Sequence, residues 1–219
     1  MNVEGNPAAL EELKRLGVPG APAVAVGGRA VHGWNPAGYA ALVGVEYKPA
    51  AKLPPSELAA RLDRILASGE RLIAPVPESQ MDYKPPQRDR TIRDLAYHMF
   101  CLSLAFADGM DLGRLPPEWL REQAPGDLRD GRAIARYGAL VRGRLSGWFE
   151  GAAPREYLRM VDVYYGGPQS GHDLLERTTW HAAQHLRQLH AMLQGLGFPP
   201  RDPLPADDFD GLPLPASLW

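Results

Sequence analysis

The chain has 219 residues, 45% hydrophobic and 23% charged, with a formal net charge of −2. That is the balance of an ordinary globular protein with room for a buried core, and it gives no electrostatic case for nucleic acid as a partner. A single cysteine, Cys101, excludes an intramolecular disulfide framework. No stretch approaches the roughly 18 apolar residues of a membrane span, and residues 1–7 lack a signal-peptide pattern, so a cytoplasmic location is expected.

Residues 7–16 read as a short amphipathic helix, with Asn6 as N-cap, Pro7 at its first position and Leu10, Leu13 and Leu16 as its stripe. Ala23-Val24-Ala25-Val26 and Arg29-Ala30-Val31-His32 flank Gly27-Gly28, which predicts a tight β-hairpin because adjacent glycines accept positive φ. A further short helix is expected over about 36–43. Two strands and two short helices cannot bury a full core alone, so residues 1–46 must dock on the rest of the chain or on another subunit, and a homodimer is one such arrangement.

Residues 47–55 are a linker by composition. Ser56 then caps a helix to about Ala74, with Leu58, Leu62, Ile65, Leu66 and Leu72 on its core face. A proline-rich loop over 75–90 precedes a helix capped by Thr91 that runs to about Asp108. Residues 109–129 read as irregular, apart from one turn near 117–122. A third long helix covers 130–150, with Ile134, Leu140, Val141, Leu145, Trp148 and Phe149 as apolar positions. After a less regular stretch around Tyr164 and Tyr165, the fourth runs from about His172 to Leu193. The prolines from 198 to 219 imply an extended tail. Four long helices predict a mainly α protein built as a four-helix bundle over 56–197, a fold that assembles metal sites from facing helices.

The fourth helix carries Trp180-His181-Ala182-Ala183-Gln184-His185, and His98 sits inside the second. Histidines four apart project from one helix face, about 40° apart around the axis. A third from a facing helix would complete a three-nitrogen, open-sided site, the usual arrangement of a catalytic divalent metal. The apolar residues around His98 and His181 mean that a buried imidazole there needs a partner. Gln188, seven residues beyond His181, shares the face, whereas His172 and His190 fall away from it and His32 lies at the end of the hairpin. Alternatively, His98 and His185 are core residues bonded to backbone carbonyls, and the spacing alone leaves both readings open.

Two stretches resemble a known family. Pro85-Pro86-Gln87-Arg88-Asp89-Arg90-Thr91-Ile92-Arg93-Asp94-Leu95-Ala96-Tyr97-His98 and, about eighty residues on, Glu176-Arg177-Thr178-Thr179-Trp180-His181-Ala182-Ala183-Gln184-His185-Leu186-Arg187-Gln188-Leu189 resemble the DinB/YfiT-like metalloenzyme superfamily, over roughly residues 54–197. The resemblance implies that His98, His181 and His185 hold a divalent ion, zinc or nickel above others. It also implies a low-molecular-weight thiol, because members with known activity include thiol S-transferases and a thiol-dependent isomerase. Residues 17–34 are similar to the second half of a glutaredoxin, with Pro22 where that family keeps a cis-proline in its thiol-binding loop. The strand and helix bearing a Cys-x-x-Cys are absent, so thiol–disulfide exchange by this segment is not expected.

Three functions follow. A metal holding a thiol as thiolate would support S-transfer to a small electrophile. A metal lowering the pKa of water would support hydrolysis. In the third, the histidines are structural or bind metal without turnover, and the N-terminal segment serves assembly. Among neighbouring residues, Cys101 reads as a fourth ligand or a buried small side chain. Asp94 would orient His98 or serve its helix N-terminus. Arg187 and Gln188 would contact substrate or be structural, Tyr164, Tyr165 and Trp180 would line a pocket or fill core, and Arg88 and Arg90 read as solvated loop charges.

Overall fold

The computed structural model describes residues 6–18, 23–33, 35–48, 51–86, 89–121, 123–165, 167–200 and 202–218. The chain divides into two units, one of residues 1–51 with 163–168 and one of 52–162 with 169–219.

The smaller unit follows the expected order. Helix α1 (Pro7–Arg15) begins at Asn6, whose side chain accepts from the Ala9 amide at 3.2 Å. Strands β1 (Ala23–Val26) and β2 (Arg29–His32) pair antiparallel from Ala23↔His32 to Val26↔Arg29. The turn between them puts Gly27 at φ 56° and Gly28 at φ 80°, both in the left-handed region that glycine enters without strain. Helix α2 (Pro36–Val43) is capped by Asn35. The α1 stripe is shallower than its spacing predicts: Leu10 is exposed, and the residue buried there is Ala9.

The larger unit is a four-helix bundle. Its first helix, α3 (Pro55–Ile73), buries Leu58, Leu62, Ile65, Leu66 and Leu72, all expected from the 3.6-residue period. The loop that follows holds one turn of helix, α4 (Glu78–Met81). Helix α5 (Ile92–Leu112) starts at Thr91, which accepts from the Asp94 amide at 3.0 Å, and is buried on nearly all sides. It runs one turn beyond the sequence-based boundary. Strand β3 (Arg114–Leu115) and the short α6 (Glu118–Arg121) lead to α7 (Gly131–Gly151). Strands β4 (Met160–Val163) and β5 (Gly167–Ser170) complete a three-stranded sheet of order β3–β4–β5 and run into α8 (Gly171–Gly195).

Helices α3 and α5 each pack on both α7 and α8 and meet one another only diagonally. This cyclic arrangement brings α5 and α8, the two histidine-bearing helices, side by side. On α7 the core face is Ile134, Gly138, Val141 and Leu145. Leu140 does not join it; one residue from Val141 is about 100° around the helix, and Leu140 is left largely in solvent. No helix among the described residues is long and apolar enough to cross a membrane.

The tail is held to the bundle by polar contacts. Arg61 donates to the carbonyl oxygens of Asp208 and Asp210, and Arg64 pairs with the Asp208 carboxylate at 2.7 Å. Leu212 is buried, and Arg187 of α8 donates to the Pro215 carbonyl at 3.0 Å.

Candidate metal centre

Helix α5 delivers His98 from its second turn, on a face covered by α8. Helix α8 starts at Ser170, whose hydroxyl accepts from the Asp173 amide at 3.1 Å. One turn before the histidines, Thr178 and Thr179 are buried, and their hydroxyls donate to the Leu174 and Leu175 carbonyls at 2.8 and 2.9 Å. These polar side chains are therefore satisfied within their own helix.

The geometry brings the three predicted histidines together. Ring centroids lie 4.6 Å apart for His181–His185, 5.1 Å for His98–His185 and 5.8 Å for His98–His181. One nitrogen from each ring can be chosen so that all three lie within 4.8 Å of one another. Nitrogens sharing one ion at about 2.1 Å stand roughly 3.4 Å apart in a tetrahedron, so small ring rotations would close the set. His98 and His185 are buried. His181 retains partial solvent contact at the residue level, but its ring is enclosed. That burial, foremost, holds its pKa well below the ordinary imidazole value, with further lowering by His185, Arg177, His98 and Arg90 in turn. A neutral imidazole is the form that ligates a metal, so the donor set fits a divalent cation.

Further contacts define the surroundings. His185 Nδ1 lies 2.9 Å from Gln188 Oε1, and Gln188 Nε2 donates to the Leu218 carbonyl at 2.8 Å. Trp180 lies beside His181, ring centroids 5.5 Å apart, and the Arg177 guanidinium sits over the indole at 5.6 Å. Arg90 adds the smallest of the charge contributions that lower the His181 pKa.

The remaining candidates resolve elsewhere. The Cys101 thiol lies 3.1 Å from the Trp119 carbonyl, and among the described residues the cluster consists of the three histidines. The Asp94 carboxylate accepts from the Ala124 amide at 3.1 Å. His172 Nε2 lies 2.8 Å from the Leu53 carbonyl, while burial lowers the pKa of His190. Tyr164 and Tyr165 belong to the smaller unit. Pro22 and Arg88 lie outside the described residues. A cavity of about 730 Å³ lies between α3 and α7, lined by Leu62, Leu66, Leu145, Phe149 and Tyr157 among others, and none of the three histidines reaches it. Its volume is therefore no guide to the histidine chemistry.

The sequence model of the DinB superfamily matches residues 61–189, which span all three histidines. The chain belongs to the DinB superfamily. Two solved structures share the fold. One is YfiT from Bacillus subtilis, described as a probable metal-dependent hydrolase with an unusual four-helix bundle topology. It is 17% identical, with a TM-score of 0.55 over 70% of this chain and 95% of YfiT. The other is the DinB-like protein YjoA from Bacillus subtilis, 16% identical, with a TM-score of 0.50 over 68% of this chain and 95% of YjoA. Comparison with curated proteins finds no match. The family match begins at residue 61, so the glutaredoxin-like likeness of residues 17–34 stands on their sequence alone.

Proposed function

We propose that this DinB-superfamily protein is a divalent-metal enzyme acting on a small molecule, with His98, His181 and His185 as the protein ligands. The observation that carries the reading is the convergence of three imidazoles from two helices, one ring held neutral by burial. Three protein nitrogens leave a tetrahedral ion a position for an exchangeable ligand. A divalent ion held there, zinc or nickel first, would supply a nucleophile at neutral pH by lowering the pKa of a thiol or a water. The residues around it define the guest: Arg177 and Arg90 make the surroundings cationic, which favours an anionic partner, and the Trp180 indole offers an apolar wall.

Thiol-dependent S-transfer is the leading reaction. Its support is the family resemblance together with the glutaredoxin-like sequence of residues 17–34. Metal-dependent hydrolysis is the second reading, favoured by the description of YfiT. One assay separates them. Zinc- or nickel-loaded protein is offered a small electrophile with and without a low-molecular-weight thiol, beside simple ester and amide substrates. S-transfer predicts a conjugate that needs both metal and thiol and disappears in His98→Ala. Hydrolysis predicts metal-dependent, thiol-independent cleavage. Turnover unchanged in His98→Ala would refute the assignment of the site to either reaction.

A further inference from the structure

Three polar side chains of α8 face the C-terminal tail, and their chemistry allows only one assignment of hydrogens. Arg187 can only donate, and its guanidinium meets Gln184 Oε1 at 2.7 Å. The Gln184 amide nitrogen is thereby turned to the tail, where it donates to the carbonyls of Ser217 at 3.2 Å and Leu218 at 2.8 Å. A backbone carbonyl can only accept. The Gln188 group 2.8 Å from the Leu218 oxygen must therefore be its amide nitrogen, and its oxygen faces His185 Nδ1 at 2.9 Å. An amide oxygen also only accepts, so Nδ1 of His185 carries a proton, and in the neutral ring Nε2 then carries the lone pair. Gln184, Gln188 and His185 are all at least nine-tenths buried, so water competes weakly for these bonds.

We propose that Gln188 is a positioning residue that couples the C-terminal tail to the histidine cluster: the Leu218 carbonyl orients the Gln188 amide, and Gln188 locks His185 in the Nδ1–H tautomer with Nε2 available as a ligand. The consequence for metal affinity rests on the metal reading above, but the tautomer does not. A ligand histidine whose second nitrogen donates to a fixed acceptor is oriented and made more basic, and loss of such an acceptor typically weakens metal binding 10- to 100-fold. Coupling is reciprocal: if the tail steadies the ligand, a metal steadies the tail.

The test uses the full chain. Nitrogen-15 NMR of metal-free wild type reads the tautomer of His185, with the Nδ1–H form expected; an Nε2–H form would overturn the proposal whether or not the protein binds metal. In Gln188→Leu the tautomer preference should be lost and the zinc dissociation constant should rise about 10- to 100-fold; an unchanged tautomer and an unchanged constant would refute it. Gln184→Ala keeps the Gln188–His185 bond but removes two donors from the tail. It guards against misfolding of the first variant and should weaken zinc severalfold; zinc affinity equal to wild type would count against the tail's part. Zinc should slow amide exchange at residues 216–218 in wild type, and exchange indifferent to bound zinc would contradict the coupling. Wild type that binds no zinc would refute the metal site, while the tautomer would still decide the role of Gln188.

Discussion

Three imidazoles packed together in a protein interior are costly unless they stay neutral or share a cation. His181 shows the first half of that bargain, since its enclosed ring sits well below its ordinary pKa. Stability should follow. Above the unfolded value of about 6.5 both states carry a neutral ring and nothing is lost; below it the unfolded chain gains a proton that the native ring refuses. Native stability of metal-free protein should therefore fall as pH drops below about 6.5, by up to about 1.4 kcal/mol per pH unit for this one group, until the native pKa is reached. Urea unfolding at pH 7.5, 6.5 and 5.5, with His181→Ala beside wild type, checks it. A pH dependence in wild type no steeper than in the variant would contradict the burial argument. The triad was legible because the i, i+4 spacing and the helical context of His98 are local signals. Gln188 was only half legible: its seven-residue spacing from His181 put it on the right face, but its partner, the Leu218 carbonyl, is thirty residues away in sequence. Arg90 gave no local signal at all, because its effect on His181 depends on how α5 and α8 pack.

The long helices owe their legibility to sustained 3.6-residue periodicity and to caps such as Thr91 and Asn6. Short elements escape that logic. Strand β5 is Gly167-Pro168-Gln169-Ser170, with neither β-branched residues nor alternation, and it exists because β4 pairs with it. Leu140 misleads in the opposite way, being apolar by type yet off the core face of α7. The start of α7 is more constrained than sequence suggests. The Gly131 amide donates to the Val76 carbonyl at 3.0 Å, and a Cβ built on Gly131 would collide with the Ile73 backbone carbonyl. Backbone cannot swing aside as a flexible side chain does. Gly131→Ala should cost about 1–3 kcal/mol, a melting temperature lower by roughly 2–4 °C for each kcal/mol in a chain of this size. Gly143→Ala, with open space at its Cβ position, is the control and should be neutral or mildly stabilising. Equal melting temperatures for the two variants would show that the α3–α7 junction tolerates the extra carbon.

For the whole molecule, a cation bridging α5 and α8 would link two helices that are neighbours only through tertiary packing. Binding to the native state alone adds about 2.7 kcal/mol at a hundredfold excess over the dissociation constant, so zinc or nickel should raise the melting temperature by several degrees. Calcium, which prefers oxygen ligands, should not. A calorimetric scan with each ion checks this, and equal responses to zinc and calcium would point to nonspecific binding. In this reading His98, His181 and His185 form one divalent-metal site. Metal content of untagged protein, wild type beside His181→Ala/His185→Ala, tests it most directly. Near-stoichiometric zinc or nickel is expected in wild type and none in the double variant. Equal metal in both proteins, or none in wild type even after incubation with zinc, manganese and nickel, would contradict it.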